Sequence, residues 1–281
     1  MTKNVLITGA SKGIGRACAF YLQEKGWRVF AGVRKRADAD SLTEESSGEI
    51  LPVFIDVTKE EMIASTAKTI ATEIGEAGLQ GLVNNAGIAL YGPLEFLPLD
   101  DYRKQFEINV LGQIAVTQAF LPHIREGQGR IVNIASMSGR FASPFLSPYS
   151  SSKFAFEAIS DALRRELTPW EIHVAVIEPG SIATPIWEKT QSQGEALKAS
   201  LPASAWELYG DILQKADQIS AQNAARSLPP RRVAQAVAHA LSARRPRTRY
   251  PVGLDSWGLS LAARLLPDRM LDWLTRIRLG T

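Results

Sequence analysis

Short apolar runs alternate with longer helical patterns along the chain, and this alternation constrains the fold most. The first run, "NVLITG", precedes an apolar stripe of helical spacing that Gly26 closes: Ile14, Ala17, Cys18, Tyr21 and Leu22. Six further runs read as strands: "WRVFAGV", "LPVFID", "GLVNNAG", "GRIVNIAS", "HVAVIEPG" and "RTRYPVG". Helices are predicted near 60–74, 100–124, 149–168 and 231–243. The pattern predicts a three-layer α/β fold, a doubly wound parallel sheet with helices on both faces.

Length and composition are those of an ordinary globular protein. The 281 residues are 45% hydrophobic and 22% charged, and we expect one domain over residues 1–253 with a C-terminal extension at 254–281. The apolar run at the start of the chain is too short for a signal peptide, and the single cysteine suits a reducing compartment. We therefore expect a cytoplasmic protein. Three scattered histidines lack metal-ligand spacing, so no metal is predicted.

A glycine-rich stretch, "TGASKGIG" at residues 8–15, lies between the first predicted strand and helix. Gly9, Gly13 and Gly15 form G-x3-G-x-G, which differs from the common dinucleotide pattern G-x-G-x-x-G and from a P-loop. Such a turn brings backbone N–H groups and a helix N-terminus to a phosphate. The alternative is a tight turn that needs glycines only for its geometry.

Further polar motifs follow the later strands. They are "NNAG" at residues 84–87, Asn109 in "INVLG", Ser136 in "NIASMSG", "YSSSK" with Tyr149 and Lys153, and "EPGSIAT" at 178–184. Tyr149 and Lys153 are four residues apart on a predicted helix and share one face. Because ligands bind at the carboxyl ends of parallel strands, these motifs are candidates for one site.

Together these motifs resemble the short-chain dehydrogenase/reductase family in its classical form, over about residues 3–185. The stretches "FAGVRK", "GPLEFLPLDDYRKQFEINVLG" and "SPYSSSKFAFEAISDALRREL" most resemble its retinol and hydroxysteroid dehydrogenases. The resemblance implies a Rossmann-type fold and NAD(P)-dependent chemistry on CH–OH groups. It also implies catalytic roles for Ser136, Tyr149 and Lys153, with Asn109 holding a water chain to the lysine. The implied cofactor contacts are Gly9, Ser11, Lys12, Gly13, Ile14, Gly15, Arg34, Asp56, Val57, Asn85, Ala86, Gly87, Tyr149, Lys153, Pro179, Gly180, Ile182 and Thr184.

Hydride transfer at a carbonyl needs a proton donor and acceptor at the reacting oxygen. The ordinary pKa of a tyrosine is about 10, which is about three units too high for Tyr149 to exchange its proton near neutral pH. A Lys153 cation ~4 Å away contributes about 1 kcal/mol in bulk water but about 4 kcal/mol at an effective dielectric near 20. The pair therefore requires a partly dehydrated cleft, where Ser136 donates to the substrate oxygen. The alternatives are a solvent-facing Tyr149 and Asn109, a solvated Lys153 and a Ser136 that only caps a turn.

Cofactor choice depends on the end of the second strand. Gly32 lies where an acid would accept hydrogen bonds from the ribose of NAD, and cations follow: Arg34, Lys35 and Arg36, with Lys12 in the glycine turn. NADP(H) is therefore the expected cofactor. The alternative is NAD(H), with the cations in a solvated loop and Asp38 or Asp40 at the ribose.

Residues 185–230 form a longer segment than a simple connection needs and read as a helical substrate lid. Its aromatic side chains and those before Tyr149 predict a large apolar pocket. The predicted substrate contacts are Ser136, Phe145, Tyr149, Trp187 and Trp206. We expect a bulky, hydrophobic alcohol or carbonyl of retinoid, steroid or long-chain type as the substrate. The alternatives are that these aromatics only pack against the sheet and that the substrate is a small carbonyl.

The C-terminal segment at 254–281 is amphipathic and basic, and Pro267 interrupts it. Docking onto its own domain or a neighbouring subunit is favoured over a membrane surface. The arginines lack interleaved aromatics, so no nucleic-acid partner is expected, and the assembly is expected to be a homodimer or homotetramer. The rival functions are a non-catalytic dinucleotide sensor and a membrane-surface scaffold.

Overall fold

The computed structural model describes residues 2–185, 195, 199 and 201–280. All seven predicted strands are present: β1 Lys3–Ile7, β2 Trp27–Val33, β3 Ile50–Phe54, β4 Gly81–Asn84, β5 Arg130–Ile134, β6 His173–Pro179 and β7 Arg249–Val252. They form one parallel sheet in the order β3-β2-β1-β4-β5-β6-β7. The predicted doubly wound α/β fold is confirmed.

The helices cover both faces of this sheet. They are α1 Gly13–Glu24, α2 Arg36–Glu45, α3 Glu60–Ile74, α4 Leu99–Phe106, α5 Gly112–Glu126, α6 Ser147–Glu166, α7 Ala203–Ala225, α8 Arg231–Ser242, α9 Leu254–Leu265 and α10 Asp268–Leu279. A π-helical turn, Glu107–Leu111, joins α4 to α5. The four later predicted helices are confirmed. The solvated loop considered after Val33 is wrong from Arg36 onward, because α2 begins there.

The core has two halves, one on each face of the sheet. Val5 and Ile7 of β1 pack with α1, α2 and α8, whereas Leu6 packs with α3 and α5. Both faces of each central strand are buried, which explains why the strands read as continuous apolar runs. Cys18 lies in the first half without solvent exposure, and burial raises the pKa of its thiol to about 12. It therefore packs as a small apolar side chain.

The order of the strands fixes where loops can separate. From β1 the sheet grows toward one side through β2 and β3. The chain then crosses back, and β4 to β7 extend the sheet on the other side of β1. Loops that leave neighbouring strands toward opposite faces open a crevice at the carboxyl ends of those strands. The glycine-rich stretch and the "NNAG" stretch follow β1 and β4.

The C-terminal helices rest on the domain through one side. α9 packs against β7, and α10 packs against α7, where Arg278 Nη2 donates to Asn223 Oδ1 at 3.2 Å. Apolar side chains on the outer side are exposed: Leu254, Trp257, Leu265, Met270, Trp273 and Ile277. Within the described ranges, no helix combines the length and the apolar character needed to cross a membrane.

Candidate active site

The glycine-rich turn is shaped by close backbone contacts. Gly9 and Gly13 have φ of +64° and +56°, the left-handed region that favours glycine. A Cβ at Gly15 would lie 2.3 Å from the Gly9 carbonyl oxygen. Lys12 precedes α1 without a side-chain capping bond, so the first N–H groups of the helix are open to an anion. These features fit the pyrophosphate of a dinucleotide.

Asn85 ties the glycine turn to the loop after β4. Its Nδ2 donates to the carbonyl oxygens of Thr8 (2.9 Å) and Gly9 (3.0 Å). The Thr8 hydroxyl accepts from the backbone N–H groups of Asn85 and Ala86 at 2.9 and 3.0 Å. A Cβ at Gly9 would lie 2.9 Å from Ala86 Cα. The "NNAG" stretch is therefore part of the same rigid unit as the turn.

Three buried amide side chains hold the loop from Ala86 to Ile88. Gln105 Nε2 and Asn109 Nδ2 donate to Ile88 O at 2.8 and 2.9 Å, and Gln113 Nε2 donates to Ala86 O at 2.6 Å. The solvent-facing alternative for Asn109 is wrong, since it is 1% exposed. Sequence reasoning found only Asn109, although the four-residue spacing of the three amides was a usable signal. The water-chain role of Asn109 stays a prediction.

Ser136, Tyr149 and Lys153 come together at the carboxyl end of β5. Ser136 precedes the 3₁₀ turn Met137–Gly139, accepts from Ser138 N at 3.1 Å, and lies near enough to Tyr149 to affect the ionisation of its hydroxyl. Lys153 is 6% exposed, so the solvated alternative is wrong. Its Nζ donates to Ile134 O at 2.8 Å and lies 5.8 Å from the Tyr149 ring centroid.

Burial dominates the ionisation of this pair. It raises the pKa of the Tyr149 hydroxyl above its ordinary value, and the neighbouring Ser136 hydroxyl opposes that rise. It lowers the pKa of Lys153 to about 8, against the opposing charge of Glu157. The lysine lies beside the aromatic ring and bonds a carbonyl, so the expected lowering of the tyrosine pKa is not produced by these residues alone.

The end of β2 offers cations and no room for an acid. A Cβ at Gly32 would lie 2.7 Å from Ile55 Cγ2, so no side chain fits there. Arg34 is 64% exposed, with Nη1 3.8 Å from Asp56 Oδ2. Partial burial opposes ionisation of Asp56, but hydrogen bonds from Thr58 and the charge of Arg34 leave its pKa below the ordinary value. Val57 follows, buried against Gly112.

The remaining basic residues of this segment differ in their partners. Arg36 begins α2 and pairs with Asp40 on the next turn at 2.9 Å. Lys35 and Lys12 are exposed. Arg34 is therefore the cation of this segment that faces Asp56, the residue predicted to contact adenine.

The loop after β6 returns to the glycine turn. Gly180 N donates to Val252 O at 2.9 Å, and Ala183 N donates to Leu228 O at 2.8 Å beside the bridge between Ile182 and Leu228. A Cβ at Gly13 would lie 3.1 Å from Thr184 Cβ. Of the predicted cofactor residues in this loop, Thr184 thus borders the start of α1.

Sequence reasoning missed Asp255 and Ser256 at the start of α9. Asp255 Oδ2 accepts from Ser181 N at 2.7 Å, and the Ser256 hydroxyl donates to Glu178 O at 2.6 Å. They hold the 179–184 loop from the side of β7. The usable signal was "VGLDS", polar residues directly after a strand at the carboxyl edge of the sheet.

Aromatic side chains gather around Phe145, four residues before Tyr149 in the chain. Phe145 is buried, with the left-handed φ of +65° that is rare for a large side chain. Its ring makes edge contacts with Tyr91 (centroids 5.9 Å apart) and with Tyr209 of α7 (6.1 Å). Trp206 lies on α7 and is 39% exposed. Trp187 lies outside the described residues.

Comparisons with known proteins agree with this site. The family model for short chain dehydrogenases matches residues 3–195. Retinol dehydrogenase 5 of Mus musculus is 38% identical, covering 95% of this chain and 86% of that protein. The NADPH-dependent 3-dehydrocapnine reductase of Ornithobacterium rhinotracheale is 37% identical, covering 95% and 94%. A crystal structure of a short chain dehydrogenase from Burkholderia cenocepacia J2315 in complex with NADP has a TM-score of 0.74 at 25% identity, covering 100% and 98%.

The chain belongs to the short-chain dehydrogenase/reductase family. It is an NAD(P)-dependent oxidoreductase that acts on CH–OH groups. The predicted resemblance to the retinol and hydroxysteroid dehydrogenases is also confirmed.

Proposed function

We propose that this enzyme transfers a hydride between NADP(H) and a bulky, mainly apolar alcohol or carbonyl. The observation that carries the proposal is that Ser136, Tyr149 and buried Lys153 come together at the carboxyl end of β5, where Lys153 Nζ bonds Ile134 O and lies beside the Tyr149 ring. In this proposal Tyr149 moves the proton at the substrate oxygen. Ser136 donates to that oxygen and orients it.

The glycine turn, Asn85 and the 179–184 loop would hold the dinucleotide. A nicotinamide dinucleotide, when bound, donates or accepts the hydride, and its oxidised ring carries a positive charge that favours the tyrosinate. Lys153 keeps a cation next to Tyr149 in a site where burial strengthens electrostatic interactions. Phe145 and Tyr209 exclude water from the side of the substrate. Each role belongs to a group already ordered within the fold.

Replacing Arg34 by alanine is expected to weaken NADPH binding about tenfold, or ~1.4 kcal/mol, with little effect on NADH. The guanidinium is exposed and can meet the 2′-phosphate that only NADPH carries. Fluorescence titration with each cofactor measures the two dissociation constants.

Arg103 provides the matched control for this substitution. It is 68% exposed and pairs with Asp100, much as Arg34 is 64% exposed and faces Asp56. Arg103→Ala should leave both affinities unchanged. Equal losses of NADPH and NADH affinity in Arg34→Ala would contradict the preference for NADP(H).

Substrate size is tested with a homologous series of aliphatic aldehydes, followed by nicotinamide absorbance. The specificity constant should rise with chain length until the pocket is full, because each buried CH₂ contributes about 0.8 kcal/mol. Trp206→Ala should flatten the rise, since the indole on α7 can cover a large apolar area.

Trp170 is the control tryptophan for this series. It is 52% exposed and comes just before β6, so it lies at the amino ends of the strands, opposite the proposed site. Trp170→Ala should keep the slope of the wild type. A specificity constant that does not change with chain length in the wild type, or a preference for polyhydroxylated substrates, would contradict the proposed substrate class.

We further propose the cytoplasm as the compartment and a homodimer or homotetramer as the assembly. The single buried cysteine supports a reducing compartment. Sedimentation of the purified enzyme tests the assembly, and fractionation of the producing cells tests the compartment.

A further inference from the structure

An arginine closes the turn that follows Ser136. The backbone N–H of Arg140 donates to the carbonyl oxygen of the first residue of the turn Met137–Gly139 at 2.9 Å. Its guanidinium is 31% exposed and reaches two buried carboxylates, Glu157 and Glu178, which are 5% and 3% exposed. The proton transfer described above makes no use of this side chain.

The guanidinium joins the serine turn to two other elements. Arg140 Nε donates to Glu178 Oε1 at 2.8 Å, and Arg140 Nη2 lies 3.3 Å from Glu157 Oε2. Glu157 lies on α6, one helical turn after Lys153. Glu178 lies on β6, directly before the 179–184 loop. One side chain therefore contacts both the helix of the proposed catalytic lysine and the strand that leads into the proposed cofactor loop.

The turn is tightly held on its other side as well. Ser136 Oγ accepts from Ser138 N at 3.1 Å, and Gly139 N donates to Ser136 O at 2.9 Å. A Cβ at Gly139 would lie 3.0 Å from Glu157 Cγ and 3.1 Å from Lys153 O. Because these bonds hold the serine to the turn and the turn packs on α6, a shift at the arginine end of the turn also moves the serine hydroxyl.

Arg249 on β7 approaches the same carboxylates from outside the serine turn. Its Nε lies 3.2 Å from Glu157 Oε2 and 3.5 Å from Glu178 Oε1, and its Nη2 lies 2.9 Å from Asp161 Oδ2. Because a buried carboxylate without a cation is unfavourable, both arginines stabilise this cluster. Of the two, only Arg140 continues directly from the serine turn. A comparison of the two arginines therefore separates charge balance from positioning.

We propose that Arg140 is a positioning residue, which holds the Ser136 turn between α6 and β6 and so fixes the serine hydroxyl where it meets the substrate oxygen. The catalytic part of this inference rests on the proposed function. A guanidinium presents its donors in a rigid planar fork, so one group meets Glu178 and Glu157 in fixed directions. A lysine is a point charge on a flexible stem, so it keeps the charge balance and loses the fixed directions.

The first test measures the turn itself and needs no substrate. In Arg140→Lys the amide hydrogen of Ser138, which bonds the Ser136 hydroxyl, should exchange with solvent at least about tenfold faster than in the wild type, because local opening of the turn becomes easier. NMR of ¹⁵N-labelled protein measures the rate. Arg249→Lys changes a guanidinium at the same carboxylates and should leave the rate unchanged. An unchanged rate in Arg140→Lys, or an equal increase in both lysine variants, would overturn the proposal.

The second test asks whether the effect on catalysis passes through the serine. Arg140→Lys should lower kcat by about tenfold to hundredfold, because a small displacement of a positioned group is costly. In a Ser136→Ala background the same substitution should cost less than about twofold, since the hydroxyl that it displaces is absent. Arg249→Lys should keep the wild-type kcat. A merely structural role would lower kcat by the same factor in both backgrounds, and that result would overturn the proposal.

A second variant covers the case in which Arg140→Lys fails to fold. Arg140→Met combined with Glu178→Gln removes one cation and one carboxylate, so the net charge of the cluster is kept. It should show the same faster exchange at Ser138, and wild-type exchange in it would overturn the proposal. If Ser136→Ala alone keeps the wild-type kcat, the proposed function of the serine is wrong, whereas the exchange rate still decides whether the arginine holds the turn.

Discussion

Tyr149→Phe is expected to lower kcat by about 10²–10⁴-fold, the usual contribution of a positioned general acid or base. The substitution removes one oxygen and keeps the ring that lies beside Lys153. Cofactor affinity should therefore survive. Steady-state turnover on the best substrate of the panel measures the loss, and fluorescence titration measures the dissociation constant of the cofactor.

Tyr21→Phe is the matched control. Tyr21 lies on α1, where its ring contacts Lys25 and Arg231 rather than the reacting groups. Its loss of the hydroxyl should leave turnover unchanged. Turnover of Tyr149→Phe near the wild-type rate would disprove the acid–base role. The absence of turnover by the wild type on every substrate, with cofactor binding intact, would favour the dinucleotide sensor.

The strands were predictable because burial on both faces of a parallel sheet forces continuous apolar runs. β2 matches the predicted run residue for residue, and its centre is buried on both sides. α2 was harder to predict, because this ten-residue helix is polar and buries only Ala39 and Leu42. With only two apolar positions facing the core, its helical periodicity is weak, and together with the preceding cations the segment resembles a solvated loop.

The site was predictable where local spacing fixes geometry. Tyr149 and Lys153 share a face because they are four residues apart on one helix. The partners of these residues depend on contacts between distant parts of the chain. Asp255 meets Ser181, and Arg249 meets Glu157, only after β7 joins β6. The left-handed backbone of Phe145 has no signal in the sequence, because few large side chains adopt it.

Gly15→Ala is expected to abolish tight cofactor binding, although alanine favours a helix by about 1 kcal/mol over glycine. The new Cβ would lie 2.3 Å from the Gly9 carbonyl oxygen and 2.5 Å from Asn85 Nδ2. Overpacking of this kind costs about 1–3 kcal/mol, and here it falls on rigid backbone. Either the turn opens or Asn85 releases it, and both displace the N–H groups that would meet the pyrophosphate. Fluorescence titration should show an affinity for NADPH at least about tenfold weaker.

Gly258→Ala separates this steric effect from helix propensity. Gly258 lies within α9, and a Cβ there meets no atom within 4 Å. Alanine should therefore leave cofactor affinity unchanged. It should raise the free energy of unfolding by up to about 1 kcal/mol. The two glycines differ in their surroundings and not in their secondary structure, so the difference between the variants isolates the close contact at Gly9. Wild-type affinity in Gly15→Ala would mean that the turn tolerates a side chain and that its glycines serve only the path of the chain.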